Sequence, residues 1–443
     1  MKHGNSTRTC NLPPILRALR HRNYRLFFAG QSISLVGIWM TRLATAWLVW
    51  RLTHSATMLG LLGFASQVPT FVFAPLAGVW VDRLDRHRLL VATQVLAMLQ
   101  SFALAALVFS GAILVWEILV LQLFQGLINA FEMPTRQSLL VDLIEDRADL
   151  SNAVALNSTM VNGARLVGPS VAGLIIATAG EGWCFLADGV SYLAVIASLL
   201  LMRIAVGPRT AERKQLLHEL HDGLRYAFGF APIRAILLLL AMLGLVGIPY
   251  RVLMPIIASQ VLHGGAHTLG FLMGAMGVGA LIGALYLASR TAVPGLGRLL
   301  PFAAATFGAS LIGVGLSRSL LLSLLFMVTA GIGFMLHLAA SNTLLQTLVR
   351  EDMRGRVMAL YTMAFMGMAT FGSLLAGAVA GLAGAPWTLA GGGVLCMLGA
   401  ALFACELPRL REQARPVYIE KGILPPVAEP LREATTLREE VEQ

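Results

Sequence analysis

Gly78-Val79-Trp80-Val81-Asp82-Arg83-Leu84-Asp85-Arg86-His87-Arg88 wedges a dense charge cluster between two long apolar runs. A soluble domain has little use for such a cluster between stretches apolar on every side. A membrane protein uses it as a short hairpin joining two spanning helices, each needing about 20 mostly apolar residues. Composition agrees. Of 443 residues, 57% are hydrophobic and 13% charged, against about a quarter charged in soluble domains. The 44 glycines suit closely packed membrane helices.

Working outward from this hairpin, twelve apolar runs are long enough to span: 24–50, 56–80, 89–111, 113–135, 152–179, 183–203, 234–262, 268–289, 299–317, 319–344, 357–383 and 386–406. Runs four and five are the least clean, because both carry polar residues at depth. With the N-terminus inside, 28 of the 33 Lys and Arg residues fall in inner segments, Arg51 and Arg318 in outer loops, and Arg42, Arg165 and Arg251 within spans. A miscounted helix would scramble that bias, so it supports both the count and an orientation with both termini cytoplasmic. It also explains the net charge of +10 as membrane topology rather than nucleic-acid binding. The first run is too long for a signal peptide and lacks a clear cleavage site.

The halves repeat weakly. Thr57–Ala65 aligns with His267–Ala275 at an offset of 210, Ser138-Leu139-Leu140 with Thr343-Leu344-Leu345 at 205, and Ala155-Leu156 with Ala359-Leu360 at 204. The reading is an all-α membrane protein of twelve transmembrane helices in two parallel six-helix halves. Residues 1–23 form a cytoplasmic tail, 24–203 the first half, 204–233 a connector, 234–407 the second half and 408–443 a largely disordered tail. Within the connector, His218–Phe228 reads as an amphipathic helix at the inner surface.

The loop at 78–88 resembles the signature loop of major facilitator superfamily transporters. Further residues place the resemblance in the branch of bacterial enterobactin exporters and macrolide efflux proteins, over about 20–407: Asn23–Gln31, Leu52–Ser55, Met133–Ser138, Leu156-Asn157-Ser158, Asn162, Arg165, Gly168-Pro169 and Arg354–Val357. The chain departs from the wider pattern in three places. Asp85 stands where Gly is usual, Gln122 occupies the arginine position of the span-four motif associated with proton coupling, and the second half's equivalent loop near Ser289-Arg290 is almost gone. The resemblance implies alternating access, with Gly78, Asp82, Arg83, Arg86, Glu132 and Arg136 at a gate. Gly163, Gly168-Pro169 and Gly173 resemble the antiporter motif of the fifth helix and favour export.

A charge near the bilayer centre costs at least about 2.5–3.5 kcal/mol, which makes the in-span arginines the sharpest chemical signal. Arg42 and Arg251 lie 209 residues apart, at nearly equivalent depths of spans one and seven. Those spans line the central cavity in the family it resembles, so both are expected to meet an acidic substrate; structural pairing or snorkelling is the alternative. Arg165, beside Asn162, reads as the more structural of the three. Gln31, Trp39, Asn162 and His337 complete the candidate substrate-binding set. Proton-coupling candidates are Glu132, Asp188 and His337, with a helix-end pair to Arg136 the default for Glu132. Trp50 reads as an interface-belt residue.

The three lysines, Lys2, Lys214 and Lys421, follow no phosphate-binding glycine loop, which excludes an ATP-driven pump within this chain. Cys10, Cys184, Cys396 and Cys405 have no metal or redox spacing. The expectation is a cofactor-free, monomeric secondary transporter, not an enzyme, exporting a siderophore or similar acidic metabolite, with protons as a candidate coupling ion. A macrolide-type efflux pump is the alternative, followed by a lysophospholipid flippase or a sensor of transporter fold.

Overall fold

Lipid offers backbone amides no partner, so apolar runs of spanning length satisfy them internally as helices. The computed structural model describes residues 14–81, 84–144, 149–202, 216–290 and 295–423, and among these no strand occurs. The first half comprises α1 (Arg22–Thr53), α2 (Ala56–Val81), α3 (Arg86–Phe109), α4 (Val115–Asp142), α5 (Leu150–Ala179) and α6 (Glu181–Leu201). An amphipathic helix, α7 (Leu216–Gly229), falls where the connector helix was expected. The second half comprises α8 (Ala231–Val261), α9 (Ala266–Ala288), α10 (Leu296–Leu316), α11 (Leu320–Leu348), α12 (Glu351–Ala383) and α13 (Ala385–Glu420). Eleven of these twelve are long and apolar enough to cross a membrane by length and composition. The other is α4, where Gln122, Gln125, Asn129, Glu132 and Arg136 interrupt the apolar run.

The opening loop resolves at its edges. Gly78 lies in the last turns of α2 and Arg86 opens α3, whereas Asp82 and Arg83 lie outside the described residues. Asp85 does not disturb the turn. It caps α3, its carboxylate accepting from the amides of His87 (2.9 Å) and Arg88 (3.1 Å), as an N-cap aspartate does.

Internal symmetry, faint in the sequence, is plain in the packing. A Cβ on Gly60 would lie 2.8 Å from Gly377 Cα, and one on Gly173 would lie 3.0 Å from Gly270 Cα. Gly60 and Gly270 are 210 residues apart, Gly173 and Gly377 are 204 apart, the offsets found above. One contact is therefore made twice, α2 on α12 and α5 on α9, and glycine lets the backbones approach that closely. Between them Trp50 Nε1 donates to Ser259 Oγ at 2.7 Å, joining equivalent positions of α1 and α8. Trp50 is thus buried in a seam between halves, not in an interface belt. Exposed Trp116, Trp183 and Trp387 sit at the starts of α4, α6 and α13 and better fit that role. These junctions lie toward the end of the bundle away from the termini, called here the far end; the opposite, arginine-rich end is the basic end.

At the basic end each half is preceded by a short helix docked on the start of its fifth spanning helix. The 3-10 helix Pro14–Arg20 meets α5 at Asp149, a fully buried carboxylate. Arg17 Nε donates to its Oδ1 at 2.8 Å, Arg20 Nε lies 2.8 Å and His21 Nε2 3.1 Å from its Oδ2. Asn152 Oδ1 accepts from the Ala18 amide and Tyr24 donates to the Ala153 carbonyl, both at 2.9 Å. In the second half α7 meets the start of α12, with Asp222 3.6 Å from Arg356. Asn152 and Arg356 are again 204 apart, and the charges have exchanged sides.

The chain end differs from expectation. Instead of stopping near 407, α13 runs to Glu420 through Pro408 and Pro416. Leu410 and Ala414 are buried, and Val417 and Tyr418 pack on the same core, a helical spacing hidden among charged neighbours. Lys421 Nζ then donates to the carbonyls of Thr347 (2.7 Å) and Val349 (3.1 Å), satisfying the C-terminus of α11. Residues 424–443 lie outside the described residues.

Two predictions follow from these contacts. Gly60→Val and Gly173→Val break equivalent contacts, and overpacking costs about 1–3 kcal/mol; both variants therefore melt earlier in detergent, by similar amounts, and unchanged melting of either contradicts the paired geometry. Burial pushes the Asp149 carboxyl up, but hydrogen bonds from Arg17 and His21 and the charges of Arg17 and Arg20 outweigh it and hold it below the usual carboxylate range. A depressed folded value stabilises above the unfolded carboxylate value of about 3.9 and is lost as pH falls through the folded value. Amide protection factors at residues 15–21, exchange rates taken relative to their intrinsic pH-dependent values, should accordingly stay constant from about pH 8 to 5 and fall only in stronger acid, while Asp149→Asn lowers them throughout.

Candidate functional site

The three in-span arginines converge on one indole. The guanidinium carbons of Arg42 on α1, Arg165 on α5 and Arg251 on α8 lie 4.9, 5.2 and 5.8 Å from the centre of the Trp39 ring. Arg251 also lies 5.8 Å from the Tyr250 ring, and its Nε donates to the Tyr250 hydroxyl at 3.4 Å. Two arginines and the indole come from the first half, the third arginine from the second.

The chain builds this arrangement by close helix packing. Trp39 is buried with Leu35, Met160 and Ala164 between α1 and α5. A Cβ on Gly168 would lie 2.5 Å from Trp39 Cβ and 2.9 Å from the Val36 carbonyl, so glycine there seats the indole. α1 is one unbroken helix. α8 is not: widened π turns at Leu243–Gly247 and Ile257–Val261 flank the segment Tyr250–Ile256 that carries Arg251. Pro249 precedes that segment and Pro255 sits within it. α12 has its own widened turn at Met363–Gly367, and a Cβ on Gly244 would meet the Phe365 carbonyl at 2.9 Å, so the two breaks pack at one level. Widened turns of this kind recur at functional sites.

Among the described residues no carboxylate forms an ion pair with any of the three arginines. The Nε of Arg165 is buried without a hydrogen-bond partner. Arg42 is solvent-exposed although it lies deep in α1, about 17 Å from the far end at 1.5 Å per residue. The Trp50–Ser259 hydrogen bond joins α1 and α8 on its far-end side. At an effective dielectric of 20 and about 10 Å, each like-charged pair repels by about 1.7 kcal/mol. Cation–π contact offsets about 0.5–2 kcal/mol per arginine, so the cluster is tolerated rather than neutralised.

Other candidate residues separate. Arg165, read above as the more structural of the three, lies with Arg42 and Arg251 around Trp39. Asn162 Nδ2 donates to the Ser158 carbonyl one turn earlier, at 2.9 Å, and Gln31 is buried with its Nε2 unpartnered. His337 is 98% buried inside the second half, its Nδ1 3.4 Å from the Leu300 carbonyl on α10, so it belongs to packing between α10 and α11. Glu132 pairs with Arg136 at 3.6 Å one turn along α4. Asp188 is buried within the first half, where its Oδ2 accepts from Thr41 and Ser101 at 2.8 Å each. Gln122, at the missing motif arginine, donates to Thr45 Oγ1 at 3.4 Å. Sequence reasoning missed Tyr250, whose adjacency to Arg251 was the available signal, and Ser259, for which no signal existed.

Residues 14–432 match the family described as transmembrane secretion effector. The chain belongs to that family. It is 27% identical to the staphyloferrin A transporter of Staphylococcus aureus over 79% of this chain and 88% of the relative. It is 27% identical to the enterobactin exporter of Escherichia coli O157:H7 over 91% and 96%, and 24% identical to macrolide efflux protein A of Streptococcus pyogenes over 60% and 67%. Among solved structures, a bacterial homologue of the iron transporter ferroportin in an inward-facing state superposes with a TM-score of 0.66 at 16% identity, covering 88% of this chain and 98% of that one. A bacterial homologue of the human lysosomal transporter Spinster does so with 0.62 at 16%, covering 90% and 98%. The fold is that of the major facilitator superfamily, and the chain is a multi-pass membrane transporter of its siderophore and macrolide efflux branch, not an enzyme.

Trp39→Leu removes the face shared by three guanidiniums and should lower the melting temperature, while Trp39→Phe recovers most of the loss. Equal melting of Trp39→Leu and wild type contradicts a shared cation–π seat.

Proposed function

We propose that this transporter exports an acidic small metabolite of the siderophore kind by alternating access, binding it among Arg42, Arg165 and Arg251. The observation that carries this reading is three guanidiniums around Trp39 with no paired carboxylate among the described residues. Cations at membrane depth call for a partner, and a cargo with carboxylate or catecholate oxygens supplies one through charge-assisted hydrogen bonds. The named substrates of two relatives, staphyloferrin A and enterobactin, are in line with such a cargo. A macrolide-type cargo has a relative in its favour, but an amphipathic drug does not answer the three positive charges.

In this reading the protein sits in the bacterial inner membrane with both termini in the cytoplasm, the orientation favoured by its basic loops. The far end, joined by the Trp50–Ser259 hydrogen bond, then faces outward, and an exporter of this orientation loads from the basic end. The loop from Gly78 through Asp82 and Arg83 to Arg86, with the Glu132–Arg136 pair, forms the inner gate. Proton antiport has Asp188 as its best remaining candidate, since Glu132 is ion-paired and His337 packs inside the second half.

In everted membrane vesicles, Arg42→Ala and Arg251→Ala should each cut accumulation of an acidic siderophore by about tenfold or more, the scale of a lost charged hydrogen bond, at unchanged protein level. Wild-type accumulation by both variants contradicts this assignment.

A further inference from the structure

The two loops that open the third helix of each half have diverged, and the divergence leaves positive charge unanswered at the basic end. In the first half Asp85 precedes α3, and its carboxylate lies 3.4 Å from the Arg88 guanidinium. The offset of 210 that relates Gly60 to Gly270 also relates Asp85 to Gly295 and Arg88 to Arg298. The arginine recurs and the carboxylate does not. Gly295 precedes α10 at a φ of 97°, a conformation glycine adopts readily, and it offers no side chain to Arg298.

More positive charge gathers where that carboxylate is missing. A Cβ on Gly295 would lie 3.3 Å from Arg290 Nη2, so the Arg290 guanidinium reaches the start of α10. A Cβ on Gly297 would touch Leu407 of α13 at 3.6 Å. Arg411 follows Leu407 by one turn, within electrostatic reach of Arg298. Three arginines from three stretches of chain therefore approach one helical turn. Among the described residues no carboxylate forms an ion pair with any of them. Glu406 on α13 is taken by Arg409 at 3.8 Å, and exposed Glu412 pairs with none of the three. Deeper in the bundle, the same faces are aromatic and open. Phe302, one turn beyond Arg298 on α10, is 65% exposed. Arg290 lies 5.9 Å from the ring of Tyr286, itself exposed on α9.

We propose that Arg290, Arg298 and Arg411 bind the phosphodiester of an anionic phospholipid from the leaflet at the basic end, with its acyl chains along Phe302 and Tyr286. The lipid phosphate supplies to the second half the negative charge that Asp85 supplies to the first. The planar fork of a guanidinium donates two parallel hydrogen bonds to a phosphate, and basic pockets between spanning helices suit acidic head groups. Free phosphate shares the charge but has nothing to lay against the two aromatic rings. The site stands apart from the Trp39 cluster and does not depend on the cargo.

Melting of the purified full-length protein in a neutral maltoside detergent tests this. Dioleoyl phosphatidylglycerol is the acidic probe, dioleoyl phosphatidylcholine its zwitterionic counterpart and inorganic phosphate the soluble one. A ligand of the folded state raises the melting temperature by mass action. Phosphatidylglycerol should raise it at concentrations about tenfold or more below those phosphatidylcholine requires, the scale of one charged hydrogen bond, and inorganic phosphate should leave it unchanged. Arg298→Gln combined with Arg411→Gln should abolish the preference, while Arg88→Gln, the equivalent change in the first half, keeps it. Native mass spectrometry reads the same difference if the double variant starts less stable: wild type and Arg88→Gln should retain more phosphatidylglycerol than the double variant. Equal preference in wild type and the double variant overturns the assignment, as does its loss in Arg88→Gln. A rise with inorganic phosphate matching that with phosphatidylglycerol overturns the lipid as ligand.

Discussion

Three guanidiniums in the middle of a membrane protein, with no ion-paired carboxylate among the described residues, are the constraint on which the rest depends. Their cost has to be met by solvent, by the face of Trp39, or by a ligand. Each of the three leaves a mark on the fold: solvent exposure of Arg42, a glycine at 168 that seats the indole, and an arginine on each side of the seam between halves. A membrane bundle without a transport task gains nothing from this arrangement, since each charge at membrane depth carries an insertion cost.

Around that centre, one kind of contact holds the halves together. Gly60 against Gly377 and Gly173 against Gly270 are the same backbone approach made twice, and the Trp50–Ser259 hydrogen bond lies between them. Glycine seams are shallow, with few side chains to disentangle, and suit surfaces that part and rejoin. At the basic end the polar contacts described lie within each half, as with Asp149 under Arg17 and Arg20 or Lys421 at the end of α11. These keep each half rigid while the seam rocks. The halves are not equally rigid. α1 is continuous where its partner α8 is broken twice, which puts local adaptability around Arg251 and stiffness around Trp39 and Arg42.

Much of this was legible in the sequence. Helix number and family followed from apolar run length and from the loop at 78–88. The 209-residue interval singled out Arg42 and Arg251, because a charge in an apolar run is costly and a repeated one costs twice. What was not legible depended on approach between helices distant in sequence. Trp50 has the profile of a belt tryptophan until Ser259 is brought beside it. Arg165, read as the more structural of the three from its place beside Asn162, has Trp39 as its neighbour in space, which the sequence did not show. His337 looked like a titrating group until α10 was packed over it. The continuation of α13 was masked by Pro408, Pro416 and the charges around Leu410 and Ala414.

If the Trp39 cluster is a site for anions, calorimetric titration of the purified transporter with citrate and with its neutral trimethyl ester distinguishes the two ligands. Citrate should bind saturably, more weakly with added salt and not at all to Arg42→Ala or Arg251→Ala, and the ester should not bind. Equal binding of acid and ester, or citrate binding that survives loss of both arginines, would contradict it.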